Sequence, residues 1–537
     1  MNPGHPKAGS ALQAAASDGD EVDFDVAIVG FGPSGSVAAG LLGGMGLRTF
    51  VCDRSTVVYD KPRAISMDHE ILRVLQQLGI AEEVLEHAEP FTPSEFHGVD
   101  GRLIKRFTTV DPPYPLAHPP SVVFDQPSVE KVLRRHVQDL PSVKTALGTT
   151  LLGVDQDPGG VTLTLRSGDR GEPRVIRASA LIGCDGASST VRSLVGIELD
   201  DLGFDEPWLV VDVLLNESGL AKVPAVSKQY CEPSRPCSYI VGPRNHRRWE
   251  ISINADEDPA LVATPAGTWA LLSRWLTPAD ATLWRQAAYR FHALVAGSWR
   301  RGRVFLAGDA AHQQPPFLGQ GMCQGIRDVA NLAWKLEAVL RGRAPDRLLD
   351  TYGQERKAHV TELTRRIKEI GQLVGMRDLE AAQARDARLL EGCNGVVKSV
   401  PRQNVQPALS AGLIAQQAHQ AVGTLFPQPW ICREDGDVRL DEMSGRGWRL
   451  MISEEAGPVF DELAKADAPG LQLLPVRTGR RGYVERDGVM RDWFHRHRCA
   501  AAIVRPDHYV YAVSVDPESA AVHLATLQEQ LDTRETR

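Results

Sequence analysis

The stretch Asp25-Val26-Ala27-Ile28-Val29-Gly30-Phe31-Gly32-Pro33-Ser34-Gly35 decides the fold. Its apolar first half is typical of a strand buried on both faces of a parallel sheet. Three glycines follow at positions 30, 32 and 35. The first permits a tight turn, the second lets a pyrophosphate approach the backbone, and the third lets the next helix pack on the strand. The start of that helix offers free N–H groups and partial positive charge to phosphate oxygens. The helix continues through Val37, Ala38, Ala39, Leu41 and Leu42 and stops near Gly46. A second strand, 48–52, ends at Asp53, with Arg54 next to it. An acid at that spacing reaches the ribose hydroxyls of an adenosine. The unit predicts a bound dinucleotide without saying which one.

Two later segments narrow the choice. Residues 303–312, RVFLAGDAAH, place Gly308 and Asp309 at the end of a strand over 304–307. Ligands of α/β sheets bind at that end, and Asp309 suits a polyol hydroxyl such as those of a ribityl chain. Residues 315–322, PPFLGQGM, then lead into a helix predicted over 326–340. A Gly-rich loop feeding a helix start is again an anion site, suited to the negative charge of a reduced flavin ring. Between the two, residues 181–192, LIGCDGASSTVR, read as strand, turn and helix start, with Ser188 or Ser189 as cap. Taken alone, that segment is equally a plain βα turn.

The rest of the chain sets bounds. Its 537 residues call for two or three domains. A net charge of −8 over a mixed surface argues against a nucleic-acid partner. No apolar run approaches the roughly 20 residues that a bilayer requires. Residues 1–21 are rich in Ala, Gly, Ser and Asp, without a basic start and apolar stretch, so a disordered tail is expected there and not a secretory signal. The eight cysteines form no CxxC pair, which disfavours a disulfide framework or a zinc site and fits a reducing cytoplasm. His495 and His497 lack a third ligand nearby in sequence, so no metal site is expected. Strands are predicted over 208–215, 238–241 and 248–253, with a turn at 242–245. A charged periodic helix is predicted over 351–373.

The three ordered motifs, GxGxxG from Gly30, Asp-Gly at Asp185 and Gly-Asp at Asp309, resemble those of the class A, single-component FAD-dependent aromatic hydroxylases. Arg63 in Lys61-Pro62-Arg63-Ala64 resembles the family's flavin-contacting arginine, and Gln126 in Asp125-Gln126-Pro127 its flavin-side glutamine. Asn331 to Leu336 resembles the helix after the second flavin loop. The likeness covers 24–374. Within the family, residues 201–208, 210–213, 231–236 and 316–323 are most similar to 3-(3-hydroxyphenyl)propionate and 3-hydroxycinnamate hydroxylases.

The resemblance implies an α/β architecture. A Rossmann-type FAD-binding domain is split over 22–200 and 296–375, with an inserted β-sheet substrate domain at 201–295. A helical linker at 376–424 and a thioredoxin-like domain without CxxC at 425–530 follow; the latter is expected to be structural or to contact a second copy in a homodimer. The resemblance also implies an activity. NADH, or NADPH, reduces FAD; O2 then forms a flavin C4a-hydroperoxide that hydroxylates a phenolic acid such as 3-(3-hydroxyphenyl)propionate ortho to its hydroxyl. FAD contacts are expected from Gly30, Gly32, Pro33, Ser34, Gly35, Asp53, Arg54, Arg63, Gln126, Asp185, Asp309, Pro316, Gly319, Gly321 and Met322. Pro315 is expected beside the ring where oxygen reacts.

The phenol must be activated, so a base is expected in the pocket. His69, Tyr230, Tyr239 and His312 are candidates, and no spacing selects among them. His312 reads better as a structural part of its loop. His69 stands where close relatives often carry an acid. His69 and Tyr239 are the leading candidates for catalysis, and Tyr230 for substrate contact. A substrate carboxylate would want an arginine, and Arg235 or Arg244 could supply it. Competing readings are a relative acting on another phenol or a heteroaromatic, a halogenase or FAD reductase of the same fold, and a non-catalytic flavin-binding scaffold. The halogenase motif WxWxIP is missing from the sequence.

Overall fold

A computed structural model describes residues 22–465, 473–477, 479 and 482–533. The tail expected at 1–21 lies outside them. The first strand, Phe24–Val29, sits inside a parallel sheet because its residues from Val26 onward are fully buried on both sides. Thr49–Asp53 flanks it on one side and Pro173–Gly183 on the other. Val304–Leu306 extends the sheet beyond Pro173–Gly183, and Val143–Leu147 extends it beyond Thr49–Asp53. The register pairs Val29 with Gly183 and Gly183 with Leu306. The three strands therefore end at one level, and the turns that follow them leave side by side. The helix Pro33–Gly44 packs on this sheet beside Gly321–Leu340, which starts five residues earlier than the sequence predicts.

A second sheet has nine strands, in the order His312–Gln313, Ala281–Ala296, Leu199–Leu215, His246–Ser252, Cys237–Val241, Ser227–Tyr230, Ser94–His97, Leu103–Thr108, Ser399–Pro401. The predicted strands are all present, but the sheet reaches well beyond 201–295. Ser94–His97 adds in parallel to Ser227–Tyr230, so the edge of the inserted segment is paired and not left open. One face of this sheet buries Leu209, Val211, Tyr239, Trp249 and Ile251 against the short helices Pro259–Val262 and Pro265–Leu272. The opposite face looks toward the first sheet.

The segment 376–424 differs from the helical linker expected there. It holds one α-helix, Leu379–Glu391, and a short 3-10 turn at Arg402–Val405. Pro401 and Pro407, with glycines at 395, 412 and 423, break any longer helix. The C-terminal region builds a four-stranded sheet in the order Leu473–Arg477, Trp448–Ile452, Ala501–Val504, Val510–Ser514. The first pair is parallel and the other two are antiparallel.

A buried ion cluster ties the regions together. Arg327 donates to Asp68 at 2.6 Å, to Glu70, and to Gln320 at 3.0 Å. Burial alone would raise the Asp68 pKa, but the Arg327 guanidinium outweighs it and holds the carboxyl below its usual range. Tyr509 of the C-terminal sheet region donates to Glu70 at 2.8 Å. Arg73 reaches Asp441 at 2.6 Å from the same helix, His69–Gln77. Removing one partner of such a cluster leaves buried charge without compensation. Arg327→Met should therefore destabilise the protein by about 3–5 kcal/mol, read as a lower midpoint in urea unfolding.

Candidate active site

The three side-by-side turns open on one cavity of about 890 Å3. Gly30 turns the chain with φ +101°, and a Cβ there would lie 2.3 Å from the Cys184 carbonyl oxygen. Only glycine fits that contact, which brings the first turn against the second. Asp53 fixes the same turn from the next strand by accepting the Phe31 N–H at 2.7 Å. Gly30, Gly32, Pro33, Ser34, Asp53 and Arg54 line the cavity, as do Glu130 and Arg134 from the helix Gln126–Gln138. Gly35 does not line it. A Cβ there would lie 1.9 Å from the Gly30 carbonyl, so this glycine packs the helix onto the turn.

Asp185 faces the cavity, but its oxygens also accept from Ser189 Oγ at 2.5 Å and Val191 N at 3.0 Å. It thus braces the start of the short helix Thr190–Leu194, whose cap is Ser189, accepting from Arg192 N at 2.9 Å. Asp309 is exposed into the cavity between buried neighbours, and its carboxyl has no hydrogen-bond donor among the described residues. Desolvation by the surrounding cavity walls raises its pKa, against the pull of His312 and Arg63. Gly308 beside it is held by Asp328, which accepts the Gly308 N–H at 2.9 Å. Asp328 also holds His312 at 2.8 Å, and the imidazole stacks on Trp299. His312 is thereby part of the loop's framework and does not reach the cavity.

Pro316, Gly319, Gly321 and Met322 line the cavity; Pro315 is buried away from it. Phe317 anchors this loop to the second sheet, packing edge-on to Trp208 at 5.5 Å and Phe291 at 6.3 Å between ring centres. Arg63 and Gln126 also line the cavity. The Gln126 Oε1 accepts from Arg63 N at 2.8 Å and Ala64 N at 2.6 Å, so Gln126 positions the Arg63 segment. From the other side Arg248 donates to the Arg63 carbonyl at 2.8 Å, and Arg285 to the Pro62 carbonyl at 2.5 Å.

The cavity continues onto the second sheet, where strand alternation decides which side chains face it. Ser238, Ile240, Gln229, Ser227, Arg248, Glu250 and Val210 do. Tyr239 and Tyr230, one position off, point to the opposite face. Tyr239 packs at a tilt against Trp249 and donates to the Pro224 carbonyl at 2.8 Å. Tyr230 packs against Trp275 with Arg274 over its ring. Neither tyrosine meets the expectation of a role in the pocket. Nor does Arg235, which pairs with Glu257 at 2.5 Å outside the cavity, or Arg244, which sits exposed on a turn. His69 is likewise outside the cavity lining. Burial, with Arg327 and Arg73 nearby, pushes its pKa down to about 4 against the pull of Asp68.

Sequence reasoning missed the polar face of the strand His246–Ser252. Asp212, on the neighbouring strand Leu199–Leu215, accepts from Arg248 at 2.7 Å and 3.2 Å and contacts His246 at 2.7 Å. Glu250 is buried, opens on the cavity, and has no hydrogen-bond donor among the described residues. Burial raises its pKa to about 7; Arg248 opposes the shift and Asp212 adds to it. Arg402 also faces the cavity, set over the Phe91 ring, and forms no ion pair among the described residues. The signal in the sequence was the alternation of His246, Arg248, Glu250 and Ser252 in a strand that is buried throughout. Polar residues at every second position of a buried strand need a polar or solvent-filled partner.

Comparison with known proteins agrees with this geometry. A family model described as FAD binding domain matches residues 23–367, and one described as HcaD C-terminal domain matches 423–530. The chain belongs to the FAD-dependent aromatic hydroxylases. More particularly, it is 38% identical over 521 residues to a probable NADH-specific resorcinol 4-hydroxylase of Rhodococcus jostii (strain RHA1), with 94% of each chain covered. It is 31% identical over 537 residues to a 3-(3-hydroxy-phenyl)propionate/3-hydroxycinnamic acid hydroxylase of Mycobacterium sp. (strain JLS), covering 95% of this chain and 92% of that one. The fold matches the flavin-dependent monooxygenase PieE, solved with FAD and substrate, at a TM-score of 0.79 and 22% identity over 95% of this chain and 100% of that one. Among the described residues, no helix is long and apolar enough to cross a membrane, and no three His, Cys, Asp or Glu side chains are grouped to hold a metal.

Two variants test the geometry. Gly30→Ala should strain the first turn and lower the flavin retained on purification, read from the flavin absorbance per chain. Tyr239→Phe should cost about 1 kcal/mol through the orphaned Pro224 carbonyl, seen as a lower Tm, with kcat/KM for hydroxylation unchanged.

Proposed function

We propose that the protein uses NADH and O2 to hydroxylate a phenol carrying a second polar group meta to its hydroxyl, at a position ortho to that hydroxyl. The observation that carries this reading is the continuity of one cavity from the Gly30–Ser34 turn, past Asp309 and the 316–322 loop, to the aromatic and polar face of the second sheet. The residues fit FAD. Gly32 has open space where a Cβ would stand, as a close-approaching pyrophosphate requires. The start of the helix Pro33–Gly44 would hold the phosphates, Asp53 and Arg54 the adenosine end, and Asp309 the ribityl chain. Arg63 and the 316–322 loop would flank the ring. FAD, reduced by NADH, supplies the electrons that activate O2 for transfer of one oxygen atom.

The protein's own part is to bind, orient and exclude water. Phe96, Phe107, Phe291 and Phe317 give the substrate end of the cavity an aromatic lining. Arg402, free of any carboxylate partner among the described residues, supports a phenolic acid such as 3-(3-hydroxyphenyl)propionate, whose carboxylate it would pair. Resorcinol is the second reading, supported by the 38% identical relative. A cytoplasmic location and a homodimer complete the proposal; the eight cysteines all stand free.

The test follows NADH oxidation and O2 uptake with and without each phenol and weighs the product. Stimulation with a product one oxygen heavier is the expected result. If no phenol stimulates turnover, the monooxygenase reading fails; stimulation with peroxide as the sole product would mark an uncoupling effector. Arg402→Met should raise KM for the phenolic acid by about tenfold or more, corresponding to a lost charge-assisted pair, and leave KM for resorcinol unaltered.

A further inference from the structure

We infer that Glu250 is the proton acceptor for the substrate's phenolic hydroxyl, a catalytic residue on the sheet side of the cavity. The inference rests on the phenol-hydroxylase reading above and deepens it. Among the described residues, Glu250 is the one carboxylate that the second sheet presents to the cavity; Asp53, Glu130, Asp185 and Asp309 belong to the first domain's turns and helices. It stands in the middle of its strand, directly across from Ser238 on one neighbour and Val210 on the other. All three face the cavity.

The Glu250 side chain is buried, at 5% exposure, and has no donor among the described residues. A carboxyl in that state is costly unless a ligand completes its hydrogen bonding. A phenolic O–H is such a donor. The nearby cations are engaged elsewhere. Arg248, two positions away on the same strand, is held by Asp212 and by the carbonyls of Pro62 and Arg63. Arg285, from the strand Ala281–Ala296, is held by the Pro62 carbonyl and the Tyr289 hydroxyl. Asp212, from the strand Leu199–Leu215, adds negative charge. These three are the charged groups acting on Glu250 from its own and the packed strands. Together with burial they poise the carboxyl near neutrality, where a general base works best. The neighbouring Ser238 and Gln229 bond to each other at 2.5 Å and can orient a hydroxyl but not take its proton. His292, the imidazole that shares the cavity, is partly exposed and faces Asp205 at 3.4 Å.

In the step itself, the phenol O–H bond breaks and the proton bonds to a Glu250 carboxylate oxygen. The electron pair stays on the phenolate oxygen and makes the ortho carbon a better nucleophile toward the incoming oxygen. Once that carbon has lost its own hydrogen as a proton, which leaves with the second oxygen atom of O2 as water, the ring is aromatic again and Glu250 returns its proton to the product's phenolate oxygen. It ends each turnover ready to act again.

The experiment uses the flavin-loaded enzyme with the phenol that stimulates wild-type turnover. Two readouts are taken across pH: product formation, and the ultraviolet difference spectrum of the phenol bound to oxidised enzyme, which reports phenolate. Wild-type product formation should rise with pH through about 7, since the ionised carboxylate is the active form. Glu250→Gln should lower product formation by about 100-fold or more, remove that limb, and cut the phenolate signal of the bound substrate. Glu250→Asp keeps the carboxylate on a shorter arm and should retain the limb at a reduced rate; it decides the matter if the Gln variant does not fold. A Gln variant with the wild-type rate and pH limb, or with undiminished bound phenolate, overturns the role of Glu250 alone, as does an Asp variant that folds without the limb. A wild-type enzyme that no phenol stimulates overturns both the functional reading and this inference.

Discussion

The parallel pairing of Phe24–Val29, Pro173–Gly183 and Val304–Leu306 is the constraint on which the rest of the site depends. Their turns are separated by more than a hundred residues of chain at each step, yet the ladder ends them at a common level. Backbone bonds from Cys184 N to the Val29 carbonyl at 2.7 Å and from Ala307 N to the Gly183 carbonyl at 3.0 Å carry that alignment into the turns. The glycine at position 30 lets the turns touch without a side chain between them. A ligand long enough to run along these turns meets one continuous surface, which is why a dinucleotide fits where a small substrate alone would not.

The second sheet contributes by parity. A strand pairs its neighbours through every residue but presents only alternate side chains to a given face. The apolar set at 209, 211, 249 and 251 is committed to the far face, where it packs with Tyr239. Commitment of that set forces Asp212, Arg248 and Glu250 toward the first domain. Burying this charge is tolerable because Arg248 and Asp212 satisfy one another and the arginine also pins the Pro62–Arg63 backbone. The sheet is thus both the roof of the cavity and a clamp on the segment that carries Arg63.

Much of this was legible in the residues. The turn at Gly30, Asp309 and the 316–322 loop show strong local chemistry, and all line the same cavity. The strands at 208–215, 238–241 and 248–253 were legible as well. The side chains that matter on them were not, because tyrosine and arginine attract attention as chemical groups while the direction of a side chain is set by its strand's register. Tyr239 and Ser238 differ by one position and by an entire face. Strands Ser94–His97 and Ser399–Pro401 join the sheet through long-range pairing that no local pattern announces. Gln126 and Asp185, expected as cofactor contacts, also hold backbone in place: Gln126 accepts from the N–H groups of Arg63 and Ala64, and Asp185 from that of Val191.

The loop at 316–322 is fixed from two directions, and this gives the C-terminal region a part in the site. On the sheet side, Phe317 packs edge-on against Trp208 and Phe291, which stack on each other. On the other side, Gln320 is held by Arg327, whose guanidinium is shared with Asp68 and Glu70. Glu70 in turn accepts the Tyr509 hydroxyl, and Arg73 of the same helix binds Asp441 and the Phe426 carbonyl. A chain of buried, charge-assisted bonds therefore runs from the C-terminal sheet region to the loop beside the predicted ring site. Such bonds are strong only while every member is paired. Tyr509 and Asp441 thus complete, from the C-terminal region, the ion cluster that holds Gln320 at the start of the helix Gly321–Leu340.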